Sequence, residues 1–166
     1  MTQPSSLITH HLSSSGLLSE LVKDILSKDA ECRLEAKGHS MSPFIKDGDV
    51  VTLSPLFDYL PGVGDVVAFI RPETGNLVIH RVIWEKGDSY LVSGGDASCV
   101  EGPIKKGSIL GRVTKVERKG KKVLIGLGPE RFLITFLARK GLLFPLLIPM
   151  WRLIRPFAKI FLLAFR

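Results

Sequence analysis

From residue 33 to residue 123 the chain breaks into short runs of β-branched and other apolar residues, and almost every break carries a glycine. No other feature limits the fold as tightly. Short strands joined by tight turns pair antiparallel with their neighbours, whereas a parallel sheet needs long crossover connections. The runs predict strands at 33–37, 49–53, 65–70, 77–85, 90–93, 111–118 and 123–126. Asp47-Gly48, Pro61-Gly62, Glu73-Thr74-Gly75-Asn76, Lys86-Gly87-Asp88, Gly94-Gly95-Asp96 and Lys119-Gly120-Lys121 supply the turns between them. No βαβ alternation interrupts the series, so the expected class is mainly β, an antiparallel and partly closed sheet.

The flanks differ from this middle. Ser13-Ser14-Ser15-Gly16 precedes Leu17, Leu18, Leu21, Val22, Ile25 and Leu26, a spacing that marks one face of an amphipathic helix with a serine cap upstream. The helix is expected to end near Lys28-Asp29. Residues 1–13 read as a loose polar arm without the basic and apolar regions of a secretory signal, so no N-terminal membrane anchor is expected. A chain of 166 residues suffices for one compact domain with a core. The expected organisation is an arm and helix at 1–32, a β domain at 33–128 and a basic-hydrophobic tail at 129–166.

Charge sharpens that division. Residues 1–104 hold eight Lys/Arg against fourteen Asp/Glu, while residues 105–166 hold fifteen against two. After Glu130 there is no acidic residue. The segments 132–137, 142–151 and 157–165 are almost wholly apolar, broken by Arg139-Lys140, Pro145, Pro149 and Pro156. No uncharged stretch reaches the ~18–20 residues of a spanning helix. Arg152, Arg155, Lys159 and Arg166 fall on one face of a helix whose remainder is Trp151, Leu153, Ile154, Phe157, Ile160, Phe161 and Phe165. A basic stripe on an apolar helix suits the membrane interface. The tail is therefore expected to attach to a lipid bilayer as a monotopic or re-entrant segment, the bland alternative being a helix packed on the protein's own core or on a second copy. Its basic residues alternate with large apolar ones, a poor match to a phosphate-tracking surface, so no nucleic-acid partner is expected. Cys32 and Cys99 form neither a disulfide framework nor a metal cluster.

Two residues stand out as candidates for chemistry. Ser40 lies two residues after Gly38, which permits close approach of a backbone, and three before Pro43, which sets the following turn. A serine becomes a nucleophile when a nearby base takes its proton. His80 lies in Leu77-Val78-Ile79-His80-Arg81-Val82-Ile83-Trp84 and shares a strand face with Val78 and Val82. A neutral imidazole there suits a general base near working pH. His10, His11 and His39 compete for the role; His39 adjoins Ser40, and neighbouring side chains of an extended segment point to opposite faces.

The order of the motifs adds what none carries alone. Gly38-His39-Ser40-Met41-Ser42-Pro43, Asp47-Gly48-Asp49-Val50-Val51, Gly64-Asp65-Val66-Val67-Ala68-Phe69, Ile79-His80-Arg81-Val82-Ile83 and Gly95-Asp96 together resemble the type I signal peptidase family, which shares its fold with LexA-type self-cleaving repressors. The resemblance spans residues 34–116, about half of the chain. It implies a mostly antiparallel β catalytic fold, a serine nucleophile, no cofactor or metal, and cleavage of a precursor protein or peptide after small residues. Where bacterial members and the LexA group carry a lysine before Arg-Val, this chain has His80, which resembles the archaeal and endoplasmic-reticulum type. Ser40 would then attack the scissile carbonyl, and His80 would accept its proton and return it to the leaving amine. Backbone N–H groups around Ser40, in the stretch from Gly38 to Met41, would stabilise the oxyanion.

The third member is open at this level. Asp96 matches the family's Gly-Asp box; the second aspartate of the Ser-His branch is replaced by Gly102, with Glu101 beside it. Either Asp96 or Glu101 orients His80, or the site works as a dyad. Asp49 and Asp65 read as turn structure rather than catalysis. Leu53, Val67 and Phe69 are expected as walls of the substrate pocket. Two other readings use the same fold: a LexA-like self-cleaving regulator, and an inactive binding or scaffolding module. The first lacks an Ala-Gly or Cys-Gly site upstream of Ser40, and the second needs neither Ser40 nor His80.

Overall fold

The computed structural model describes residues 14–57, 59–94, 100–123 and 125–140. Helix α1 (Ser14–Ser27) leads into strands β1 (Cys32–Glu35), β2 (Val50–Ser54), β3 (Val66–Ile70), β4 (Leu77–Lys86), β5 (Ser89–Ser93) and β6 (Val100–Lys105). A single 3-10 turn at Lys106–Ser108 precedes β7 (Ile109–Arg118), β8 (Lys121–Lys122) and helix α2 (Arg131–Arg139). All strand pairs are antiparallel, in the order β1-β2-β7-β3-β4-β5-β6, with β8 folded back on β7. The mainly β antiparallel class is as the sequence predicts. The order runs from a free β1 edge to a free β6 edge, so among the described residues the sheet is open rather than closed on itself.

The long strand β7 explains the curl of this sheet. Its first residues pair with β3 and its later ones with β2. The register slips between Thr52 and Leu53, so Thr114 has no opposite number. Burial follows the slip: Ile109, Gly111 and Val113 point inward on odd positions, and Val116 continues inward on an even one. An extra residue of this kind flips the face of everything beyond it and bends the strand. Further slips occur in β3–β7, β4–β5 and β5–β6 pairing.

A curled sheet makes two cores, and β3 serves both. Val66 and Ala68 join Val22 and Leu26 of α1, Cys32, Met41, Ile45, Val51, Leu53, Val113 and Val116. Val67 and Phe69 point the other way and join Val82, Tyr90, Val92 and Ile109. Period-two alternation puts successive side chains on opposite faces, and both faces of β3 are covered. Gly111 lets α1 dock on β7, since a Cβ there would lie 2.7 Å from the Ser54 carbonyl oxygen and 3.1 Å from Leu26 Cδ1.

Three expectations change. The leucine stripe of α1 is split: Val22 and Leu26 are buried, whereas Leu17, Leu18 and Leu21 are about half exposed. The strand predicted at 123–126 is replaced by the two-residue β8 before it, after which the Val123 N–H donates once more to Val116 and the chain bends away. Strand β6 escapes prediction because Gly102 and Pro103 sit inside it, and both residues ordinarily argue against a strand. Gly102 is required there, with φ +130° and the Tyr90 carbonyl oxygen 2.8 Å from where a Cβ would stand.

Two buried aspartates fasten the loops. Asp49 receives Arg118 through Nε at 2.8 Å and Nη2 at 2.7 Å, and the Lys46 N–H at 2.8 Å. Asp65 receives the Tyr59 hydroxyl at 2.7 Å, the Gly62 N–H at 2.9 Å and the Arg131 guanidinium. The latter ties the first residue of α2 to the start of β3, while Ile134 and Ala138 pack on Phe44. The structural reading of both aspartates fits these contacts. The Arg118 hydrogen bonds hold the Asp49 carboxyl below its ordinary range, against the opposing effect of burial. A depressed folded-state value means that its contribution is present above the ordinary aspartate range and is lost as pH falls through the folded-state value. Asp49→Asn is expected to cost about 1–3 kcal/mol in urea unfolding at neutral pH. The gap from wild type should narrow as the buffer is made acidic; a gap independent of pH would contradict this account of Asp49.

Candidate active site

The loop of residues 36–49, between β1 and β2, carries Ser40. Its ends are laced together by Ala36 N–H donating to the Asp49 carbonyl at 2.7 Å and Gly48 N–H donating to the Ala36 carbonyl at 2.9 Å. Gly38 N–H donates to Asp47 Oδ1 at 2.8 Å, and Gly38 takes φ +91°, a conformation that disfavours any side chain. Beyond it the chain turns, with Ser42 N–H donating to the His39 carbonyl and Phe44 and Ile45 N–H to the Met41 carbonyl. Met41 and Ile45 drop into the core, which leaves Ser40 exposed at the crest. Gly94, at the end of β5, lies directly behind it, for a Cβ at Gly94 would overlap the Ser40 carbonyl oxygen.

His80 comes from the middle of β4, opposite Val67 of β3. It is 3% exposed and meets the edge of the Phe69 ring with centroids 6.3 Å apart. Ser40 and His80 line one cavity of about 480 Å³ together with Gly38, Met41, Arg71 and Glu101. Its apolar walls are Leu18, Leu34, Ile45, Leu77, Val78 and Ile79. These replace the predicted walls: Leu53, Val67 and Phe69 are fully buried in the two cores and do not line the cavity. Leu34 and Glu35 bring the free edge strand β1 to the cavity rim.

Of the two carboxylates considered for the third position, Glu101 on β6 is in the cavity, and Asp96 lies outside the described residues. Glu101 Oε1 stands 3.6 Å from His80 Nδ1, too far for a hydrogen bond. His80 Nδ1 is buried with no hydrogen-bond partner among the described residues. Arg71 claims the carboxylate instead: Nε donates to Oε2 at 3.3 Å and Nη2 donates to Oε1. Burial pushes the His80 imidazole below its ordinary value, Glu101 opposes that, and Arg71 adds to it. The net lowering favours the neutral ring, the form a general base needs.

Arg71 was missed from sequence. It follows β3 in Ile70-Arg71-Pro72 and meets Glu101 thirty residues later, with no local spacing to betray the pair. Arg81, next to His80, serves the scaffold. Its Nη1 donates to the Gly64 carbonyl at 2.7 Å, its guanidinium lies 5.6 Å from the Phe44 ring, and burial lowers it to about 10. Cys32 is a buried free thiol, raised by burial, and Cys99 lies outside the described residues. No group of residues suited to hold a metal ion occurs among the described residues.

Comparison of the chain with protein families, curated proteins and solved structures finds no match. The chemistry of this cavity consequently rests on its own geometry. Gly94→Ala tests the seating of the serine. The added methyl is expected to displace the Ser40 turn and, should Ser40 act as a nucleophile, to slow its labelling by a fluorophosphonate probe about a hundredfold while far-UV circular dichroism persists. Unchanged labelling would mean that Ser40 does not depend on this contact.

Proposed function

We propose that the protein is a serine endopeptidase of the signal peptidase type, with Ser40 as nucleophile and His80 as general base. One observation carries the reading: two residues forty positions apart, one on a turn crest and one on a buried strand, open onto the same cavity. In the proposed reaction Ser40 Oγ attacks the scissile carbonyl carbon as its proton passes to His80. The C–N bond then breaks, the leaving amine takes that proton, and the peptide's acyl group remains on Ser40 as an ester. Water, deprotonated by His80, attacks the ester and releases the carboxylate product and free serine. Gly38 N–H is engaged by Asp47, so the amides of Ser40 and Met41 are the proposed oxyanion donors.

The substrate is a precursor protein or peptide bound in extended form. Among the described residues β1 has a free edge, and its residues reach the cavity rim, which suits addition of one more strand. Ser40→Ala and His80→Ala should each lower cleavage of such a precursor at least about a thousandfold with the fold intact. Cleavage at the wild-type rate in either variant would end the peptidase reading.

The proposed location is a membrane surface. Among the described residues no helix is long and apolar enough to cross a membrane. α2 presents exposed Phe132, Leu133 and Phe136, and Arg139 stacks on Trp84 at 4.1 Å. The basic-hydrophobic tail predicted at 129–166 continues beyond α2, and its residues 141–166 lie outside the described residues. Because α2 packs on the body, the informative truncation falls after Lys140. The truncated protein is expected to leave the membrane fraction and remain in the supernatant. Full retention in the membrane fraction would show that the segment is not the anchor.

A further inference from the structure

We propose that Arg71 is a positioning residue that competes with His80 for Glu101, holding the carboxylate one step short of the imidazole. The proposal rests on the serine peptidase reading for its purpose, but its geometry stands alone. A single oxygen, Glu101 Oε1, faces both groups: it accepts from Arg71 Nη2 and stands 3.6 Å from His80 Nδ1. The second Arg71 bond, Nε to Oε2 at 3.3 Å, makes the grip two-pronged. A planar guanidinium holds a carboxylate in a set plane, which a lysine cannot do.

Among the described residues little else acts on the ring. β3 presents Val67 and Phe69, both uncharged, and the serine loop presents Ser40. On β4 itself, Arg81 follows His80 directly and so points to the opposite face of the strand, where its Nη1 donates to the Gly64 carbonyl. Glu35 and Lys37, the other charged residues of the cavity, pair with each other. Asp96 lies outside the described residues. The balance at His80 is thus set by burial, Glu101 and Arg71.

The consequence is functional. A carboxylate free to close on Nδ1 would form a full ion pair with a protonated ring and favour the imidazolium. That state cannot accept the Ser40 proton. Held back by Arg71, Glu101 is near enough to support the positive charge that develops during attack, yet it leaves the resting base neutral. Among the described residues His80 Nδ1 has no hydrogen-bond partner, and the restraint on Glu101 gives that arrangement a use.

The test is a His80 titration by NMR of its ring C–H in the full chain, for wild type, R71A, R71K, E101Q and R71A/E101Q. R71A should raise the His80 midpoint, R71K should raise it less, and E101Q should lower it. The rise caused by R71A should largely vanish when Glu101 is already Gln. An equal rise in both backgrounds would make Arg71 a lone charge and overturn the proposal, as would no rise or a fall in R71A. Cleavage gives the second readout. R71A should lose about tenfold at neutral pH and recover as pH is raised, because the neutral ring returns; a loss constant with pH would be merely structural. If wild type cleaves nothing, the peptidase reading fails, and the NMR cycle still decides the role of Arg71.

Discussion

Arg118 closes on both carboxylate oxygens of Asp49 where the loop of residues 36–49 rejoins the sheet. The same guanidinium reaches the Phe44 carbonyl at 3.2 Å, and Asp49 also accepts the Lys46 N–H. These contacts span β7, the start of β2 and the descending half of the loop. Without them the descending half of the loop would keep only the Gly38–Asp47 bond and the buried Met41, Phe44 and Ile45 to hold it, and loops held by fewer contacts move more. With them, the crest that carries Ser40 has a rigid foundation in the longest-range pairing of the sheet. Removing one partner of a buried charge pair leaves the other unpaired, so losing this bond costs the fold stability as well as the loop its geometry.

The second constraint is the curl of the sheet. Register slips in β7 against β2 and β3, and in the β4-β5-β6 meander, bend the strands and wrap both faces of β3 in apolar cover. This curl brings β6 and the residue after β3 to the same side of His80. Gly94 and Gly102 are points of close approach near the site, where a methyl would run into Ser40 or Tyr90 backbone. The site is therefore assembled from a loop, a buried strand and a strand interrupted by Gly-Pro. Only packing of the whole domain brings them together.

Some of this was legible in residues alone. Alternation and glycine turns placed six of the strands, the apolar spacing placed α1, and the aspartates 49 and 65 were read as structural. The failures share a cause. Gly102-Pro103 hid β6, because local propensity argues against a strand that its neighbours nonetheless hold in place. Leu53, Val67 and Phe69 are apolar residues near the motifs, but the curled sheet turns them into core, and Leu34, Leu77 and Ile79 line the cavity instead. Leu17, Leu18 and Leu21 share a helical face with Val22 and Leu26, yet only the latter two are buried.

What the sequence determined by itself is the class of fold and the two residues that merit attention. Period-two patterning and turn chemistry act within a few residues, so they can be read without knowing the rest of the chain. Tertiary structure alone decided that Ser40 and His80 share a cavity, that Glu101 faces the imidazole, and that Arg71 holds it off. Those relations join residues tens of positions apart through a curled sheet. Curl arises from single-residue register slips, which a linear pattern of apolar and polar residues does not encode.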